Sequence, residues 1–225
     1  DEYRFYQVLA GAWPAEPFDA PIPAQAPDTL VERLQQYMEK ATREAKIHTS
    51  WISPNEAYDR ALRDFVDGML RGTTSREFLP AFVPFARRLA RAGAAHSLSQ
   101  VLIKAAAPGV PDVYQGTELW DLSLVDPDNR RPVDFAMRAK LLDELDPMVR
   151  AAREGRDTAS SVRALLDTWH DGRIKMFVTL AALGLRREQP DLFLEGRYVP
   201  LDTETPEALE MVAFARIKGS ASAIV

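Results

Sequence analysis

Between Val113 and Phe135 the chain concentrates side chains able to do chemistry: Tyr114, Gln115, Glu118, Trp120, Asp121, Asp126, Asp128, Asn129, Arg130, Arg131 and Asp134. Just ahead of them, Pro108-Gly109-Val110-Pro111 sets a rigid turn, because proline fixes φ and glycine permits tight backbone. The segment entering that turn, Ser97 to Ala106, is nearly all apolar or small. It reads as a helix running into a short buried strand, which would present Tyr114, Gln115 and Glu118 at a strand's end. In a (β/α)8 barrel, strand ends are where substrate contacts lie. The plainer alternative is a Pro/Gly loop with solvated polar groups. Metal chemistry fits poorly. The chain has three His and no Cys, and no His-x-x-x-His spacing. Asp126, Asp128 and Asn129 offer oxygens for calcium, but without the EF-hand pattern. No metal and no cofactor is expected.

The elements that must position these residues are mostly helical. Glu2 to Ala12 has an amphipathic spacing, with Tyr3, Tyr6, Leu9 and Ala10 on one face. Pro14, Pro17, Pro21, Pro23 and Pro27 then exclude helix. Three helices follow, each with a start signal. Thr29 and Glu32 have capping-box spacing ahead of Val31, Leu34, Met38 and Ala45. Ser53-Pro54-Asn55-Glu56 repeats that logic, with Pro at the first helical position. Thr74 to Glu77 is a third box, and Pro80 and Pro84 are expected to limit or bend its helix. Met137 to Leu145 and Ala151 to Asp171 read as further helices. From Gly172 the pattern becomes strand-like: Ile174 to Leu185, Asp191 to Leu201 and Met211 to Ile217, separated by Gly184, Gly196 and Pro206.

Bulk properties are those of a globular chain. It has 225 residues, 46% hydrophobic and 27% charged, with a formal net charge of -5. A mildly acidic chain with no basic block is a poor nucleic-acid binder. No apolar run is long enough for a membrane span. The absence of Cys excludes a disulfide framework and favours a reducing compartment, so a cytoplasmic protein is expected. Asp1 in place of Met, and an apolar end at Ala223-Ile224-Val225, give the expectation of a piece cut from a longer chain.

Gly109-Val110-Pro111-Asp112-Val113-Tyr114-Gln115-Gly116-Thr117-Glu118 resembles the segment at the eighth barrel strand of alpha-amylase-type enzymes. The run after it sharpens the likeness. Trp120-Asp121-Leu122-Ser123-Leu124-Val125-Asp126-Pro127-Asp128-Asn129-Arg130-Arg131-Pro132-Val133-Asp134-Phe135 is similar to the maltooligosyltrehalose synthase form of that loop. So is Arg43-Glu44-Ala45-Lys46-Ile47-His48-Thr49-Ser50-Trp51-Ile52-Ser53-Pro54-Asn55-Glu56. Asp1-Glu2-Tyr3, with Gly11-Ala12-Trp13-Pro14, resembles the region after that family's seventh barrel strand. The likeness spans essentially the whole chain.

The resemblance implies a mainly α fold with some β. It would be part of an alpha-amylase-type (β/α)8 barrel followed by part of a C-terminal β-sandwich. Residues 1–95 would be a helical insertion, 96–155 the last barrel strand with its loop and helix, and 156–225 the start of the β domain. The implied activity is conversion of the reducing-end α-1,4 bond of a maltooligosaccharide into an α,α-1,1 bond, by a retaining mechanism with two carboxyl groups. The released glucose must stay bound in a site that excludes water. The family's nucleophile, acid/base and third Asp would precede Asp1, so no catalytic residue is assigned here and the piece alone is expected to be inactive. Its partners would be the maltooligosaccharide and the remainder of the polypeptide.

Residues carried over as the pocket wall are Lys46, His48, Trp51, Asn55, Tyr114, Gln115, Glu118, Trp120 and Asp121. Trp51 offers a flat face to a pyranose ring, and Lys46, His48 and Asn55 can donate to sugar hydroxyls. Each has a plainer reading. His48 and Lys46 are near a helix C-terminus, where cations suit the dipole. Trp51 could be a packing anchor. Glu118 could pair with Arg130 or Arg131, and Asp126, Asp128, Asn129 and Asp134 could form a network that stabilises the loop. Trp13, Trp169 and His170 read as packing or surface residues. The alternatives to the synthase are another amylase-type hydrolase or transglucosidase, and a non-catalytic glucan- or protein-binding module.

Overall fold

The fold is given by a computed structural model, which describes residues 1–202 and 211–225. The described chain is mostly helical and ends in a small antiparallel sheet. It divides into two compact units: residues 1–93 with 121–132, and residues 94–120 with 133–225.

The first unit is built on amphipathic helices α1 (Glu2–Ala12), α2 (Asp28–Ala45), α3 (Glu56–Leu70) and the first half of α4 (Ser75–Ala106). In α2, Leu30, Val31, Leu34 and Met38 recur at helical spacing and all are buried. They share a core with Phe5, Leu9, Val66, Leu70, Leu79 and Val83. Phe5 meets Phe65 edge-on at 5.2 Å, and Trp13 meets Phe82 at 5.4 Å, the T-shaped geometry that ring quadrupoles favour. The Pro-rich connector contains no helix. Its carbonyls are held from outside, with the buried Arg87 donating to Phe18 O and Pro21 O.

The structure corrects several expectations. The Thr29–Glu32 capping box does not form: α2 starts after Pro27 with no side-chain cap. Pro54 precedes α3 rather than opening it, and Asn55 is the cap. Pro80 and Pro84 do not end α4, which runs for 32 residues to Ala106. Leu79, Phe82, Val83 and Ala86 around the prolines are buried, and that burial offsets the missing hydrogen bonds. Ser97–Ala106 is therefore helix and not a strand. Leu98, Gln100, Leu102, Lys104, Ala105 and Ala106 are strong helix formers that outnumber Val101 and Ile103.

The second unit continues with α5 (Phe135–Arg153), α6 (Ala159–Asp167), α7 (Arg173–Glu188) and α8 (Pro190–Leu194). The expected strand at Ile174 to Leu185 is thus helix α7. Its Met, Ala and Leu content satisfies helix propensity, and an apolar run without alternation does not by itself specify a strand. The sheet is β1 (Arg197–Pro200), β2 (Phe214–Lys218) and β3 (Ala221–Ile224), in that order, with Arg197 opposite Ile217 and Lys218 opposite Ala221. The β2–β3 turn places Gly219 at φ 59°, which glycine adopts without a Cβ clash. Residues 156–225 are accordingly helical before a short sheet, rather than β from residue 174 onwards. The turn expected at Pro206 lies outside the described residues.

Candidate functional site

In the first unit, Lys46, His48, Trp51 and Asn55 sit in the turn between α2 and α3. Lys46 closes α2 in a left-handed conformation at φ 56°. Asn55 opens α3: its Oδ1 accepts from Tyr58 N at 3.2 Å, and its Nδ2 donates to His48 O at 3.3 Å. Asn55 N donates to the buried Thr49 Oγ1 at 3.0 Å, which fixes the width of the turn. The His48 ring stacks on Tyr58 at 5.0 Å. Trp51 is 57% exposed, with the Arg43 guanidinium 4.9 Å from its ring centroid. Trp51 is therefore a surface platform and not an interhelical anchor. Arg43 in turn pairs with the buried Asp59 at 2.7 Å, tying the platform to α3. Burial pushes the Asp59 carboxyl up, but hydrogen bonds from Arg43 and Thr49 and the charges of Arg43 and Arg63 outweigh it, leaving it below the ordinary carboxylate range.

The same unit contains the loop 121–132, and α2 holds it. Arg33 binds the Asp128 carboxylate with Nε and Nη2, both at 2.9 Å, and donates to Leu122 O at 2.6 Å. Leu124 N donates to Asp128 at 2.6 Å, and Arg131 lies 3.1 Å away. Burial raises the Asp128 carboxyl, yet Arg33, the Leu124 amide and Arg131 together hold it lowered. Asp121 Oδ1 accepts from Ser123 N and Oγ, closing a tight local turn. The expected polar network exists around Asp128 and its organiser is Arg33, 95 residues distant, which no local signal revealed. Asp134 does a different job: in the second unit it caps α5 by accepting from Met137 N.

In the second unit the loop 108–120 exposes Tyr114, at 53%, and Gln115. Glu118 pairs with Arg138 at 3.0 Å, which corrects the expectation of Arg130 or Arg131. Arg138 also donates to Gly116 O at 2.8 Å. Trp120 is half-buried, its indole N–H donating to Trp169 O at 2.7 Å. Lys175 donates to Leu119 O at 3.1 Å and lies 5.6 Å from the Trp120 ring. A groove of about 320 Å³ runs beside the loop, lined by Gln100, Lys104, Asp112, Tyr114, Thr117 and Thr179 among others. Val101, Pro111, Val113 and Leu183 add an apolar side, so the groove combines apolar surface with hydroxyl, amide and charged groups. Sequence reasoning missed Arg138 and Lys175, whose helices show no motif. Among the described residues no group of three or more His, Asp or Glu stands where it could hold a metal ion, and no helix is long and apolar enough to cross a membrane.

No family profile matches the chain. A putative maltooligosyl trehalose synthase of Mycobacterium tuberculosis, from strain H37Rv and likewise from strain CDC 1551, is 38% identical over 212 residues, covering 94% of this chain and 23% of that protein. Among solved structures, a crystal structure of maltooligosyl trehalose synthase superposes with a TM-score of 0.79 at 35% identity, over 96% of this chain and 26% of that one. Maltooligosyltrehalose synthase from Arthrobacter ramosus gives 0.73 at 37% identity, over 99% of this chain and 25% of that one. The chain thus spans about a quarter of the length of the relatives it matches. The resemblance read from the sequence holds: over nearly its whole length the chain is similar, in sequence and in fold, to maltooligosyltrehalose synthases.

Proposed function

We propose that the whole protein, a relative of maltooligosyltrehalose synthases, converts the reducing-end α-1,4 bond of a maltooligosaccharide into an α,α-1,1 bond by intramolecular glucosyl transfer. It would serve trehalose formation in the cytoplasm as an isomerase that needs no cofactor. In this reading the chain packs against an alpha-amylase-type barrel supplied by the remaining polypeptide, with parts 1–95, 96–155 and 156–225. The nucleophile and acid/base lie on that remainder. The observation that carries the reading is near-full-length likeness in both sequence and fold to one quarter of such enzymes.

The chain contributes sugar-facing surface. Trp51 offers an exposed indole for a pyranose ring, with Lys46 and His48 as donors beside it. Tyr114 and Gln115 face solvent and meet sugar hydroxyls from the second loop. Asn55 and Asp121 hold local turns of the first unit, while in the second Glu118 is bonded by Arg138 and Trp120 by Trp169 O, so these four support the sugar-facing residues of their own unit. Fixed, tightly turned loops favour capture of the sugar acceptor over water.

Incubation of the full-length protein with maltopentaose tests this. A non-reducing, trehalose-ended product is expected, and none from residues 1–225 alone. Glucose and maltose as the only products would instead make the protein an amylase-type hydrolase. Binding without turnover by the full-length protein would make it a glucan-binding module.

A further inference from the structure

The loop 108–120 has little backbone bonding of its own; Thr117 N to Tyr114 O at 3.1 Å is its internal turn contact. Gly109 and Gly116 at φ 105° and 91° break any regular ladder. What holds it are cationic side chains contributed by later elements, and they grip carbonyls.

At its entry, α4 ends with carbonyls that have no intrahelical donor and carry the negative end of the helix dipole. Two guanidinium groups take them. Arg186 of α7 donates to Ala105 O at 2.8 Å, to Ala107 O at 3.4 Å and, through Nη2, to Gly109 O. Arg216 of β2 is 1% exposed, and donates to Ala106 O at 2.9 Å and to Phe193 O and Gly196 O at 2.8 Å. Burial, and then the Arg186 charge, disfavour the charged form of Arg216, so two like charges converge on one helix end. A guanidinium spreads five donors over a rigid plane and so spans carbonyls set apart along the chain, whereas a lysine's three donors radiate from a single nitrogen. At its exit, Arg138 and Lys175 grip Gly116 O and Leu119 O.

We propose that Arg186 and Arg216 are positioning residues: by fixing the end of α4 they set the loop that presents Tyr114 and Gln115, so that glucosyl transfer goes to bound sugar rather than to water. The inference rests on the function proposed above and adds residues that none of the sugar-facing set includes. Neither arginine needs to touch substrate; both act through the backbone of residues 105–109.

Arg186 is the residue to test, because it is half-buried whereas Arg216 is fully buried, and exchange over β2 reports whether the sheet survives its loss. In the full-length protein, Arg186→Ala, Arg186→Lys and the exposed neighbour Arg187→Ala are compared by KM and kcat on maltopentaose. The fraction of turnovers releasing free glucose and amide hydrogen exchange over residues 109–117 are also measured. Arg186→Ala is expected to raise KM and the free-glucose fraction, each on the order of tenfold, since small misplacement of a binding wall is costly. Exchange over 109–117 should rise while that of 214–218 stays put. Arg186→Lys should recover part of both, and Arg187→Ala should match the wild type. Unchanged exchange in Arg186→Ala would overturn the clamp. So would a uniform loss of activity with faster exchange throughout β2, because that pattern means general destabilisation. A wild-type protein that forms no trehalose-ended product would instead overturn the underlying function and with it the claim about partition, while the exchange data would still decide the clamp.

Discussion

Trp51 and Trp169 carry the same side chain into opposite surroundings, and that contrast sets what each substitution does. Trp51 is 57% exposed beside Arg43, whereas Trp169 is 5% exposed and packs at 6.3 Å from Trp120. Replacing Trp51 by Ala should leave the urea midpoint nearly unchanged, within about 0.5 kcal/mol, as for other surface positions. It should weaken maltooligosaccharide binding by the full-length protein. Trp169→Ala should cost about 3–5 kcal/mol of stability, because it opens a cavity beneath Trp120. Titrating both variants with maltopentaose separates the roles: equal losses of affinity would remove Trp51 from the sugar surface. Exposure separates a surface tryptophan from a packed one, a property the residue type alone does not carry.

At the scale of elements, Gly172 shows how tightly the loops are fitted. It stands at φ 81° ahead of α7, where an added Cβ would lie 3.2 Å from Leu119 Cβ and Trp120 N. Gly172→Ala should therefore lower stability by about 1–2 kcal/mol from the left-handed backbone, with crowding added. A thermal melt showing no loss would contradict the fit. Much of the helical framework was legible: Glu2–Ala12 was read with its observed bounds, and the stripe on α2 marked the core face. The end of α4 and all of α7 were not, because Ser97–Ala106 and Ile174–Leu185 are apolar with few polar interruptions. In such runs neither a period of two nor one of 3.6 stands out. Local contacts were legible where neighbours in sequence are neighbours in space, as in the turn 46–55. Arg33 with Asp128 and Arg138 with Glu118 were not, because long-range pairing leaves no spacing to read.

For the whole molecule, the two units have separate cores and separate weaknesses. The first relies on two carboxylates whose folded-state pKa values are lowered, Asp59 against Arg43 and Asp128 against Arg33. A lowered folded value means the unfolded chain binds protons more readily. The stabilisation is present above the ordinary carboxylate pKa of about 4 and is lost as pH falls through the lowered values. Urea midpoints should accordingly hold steady from pH 7 to about 5 and drop below about 4, and the drop should be smaller in Asp59→Asn with Asp128→Asn. An equally steep drop in the double variant would assign acid sensitivity elsewhere. The second unit joins Arg216 to Ala106 O across 110 residues. A closure of that span forms only once the chain between has been made and folded. On the ribosome, the exit of α4 therefore waits for β2 to emerge, and the loop 108–120 is finished among the last parts of this chain. Premature termination anywhere before residue 216 would leave that edge unset however well the preceding helices had formed.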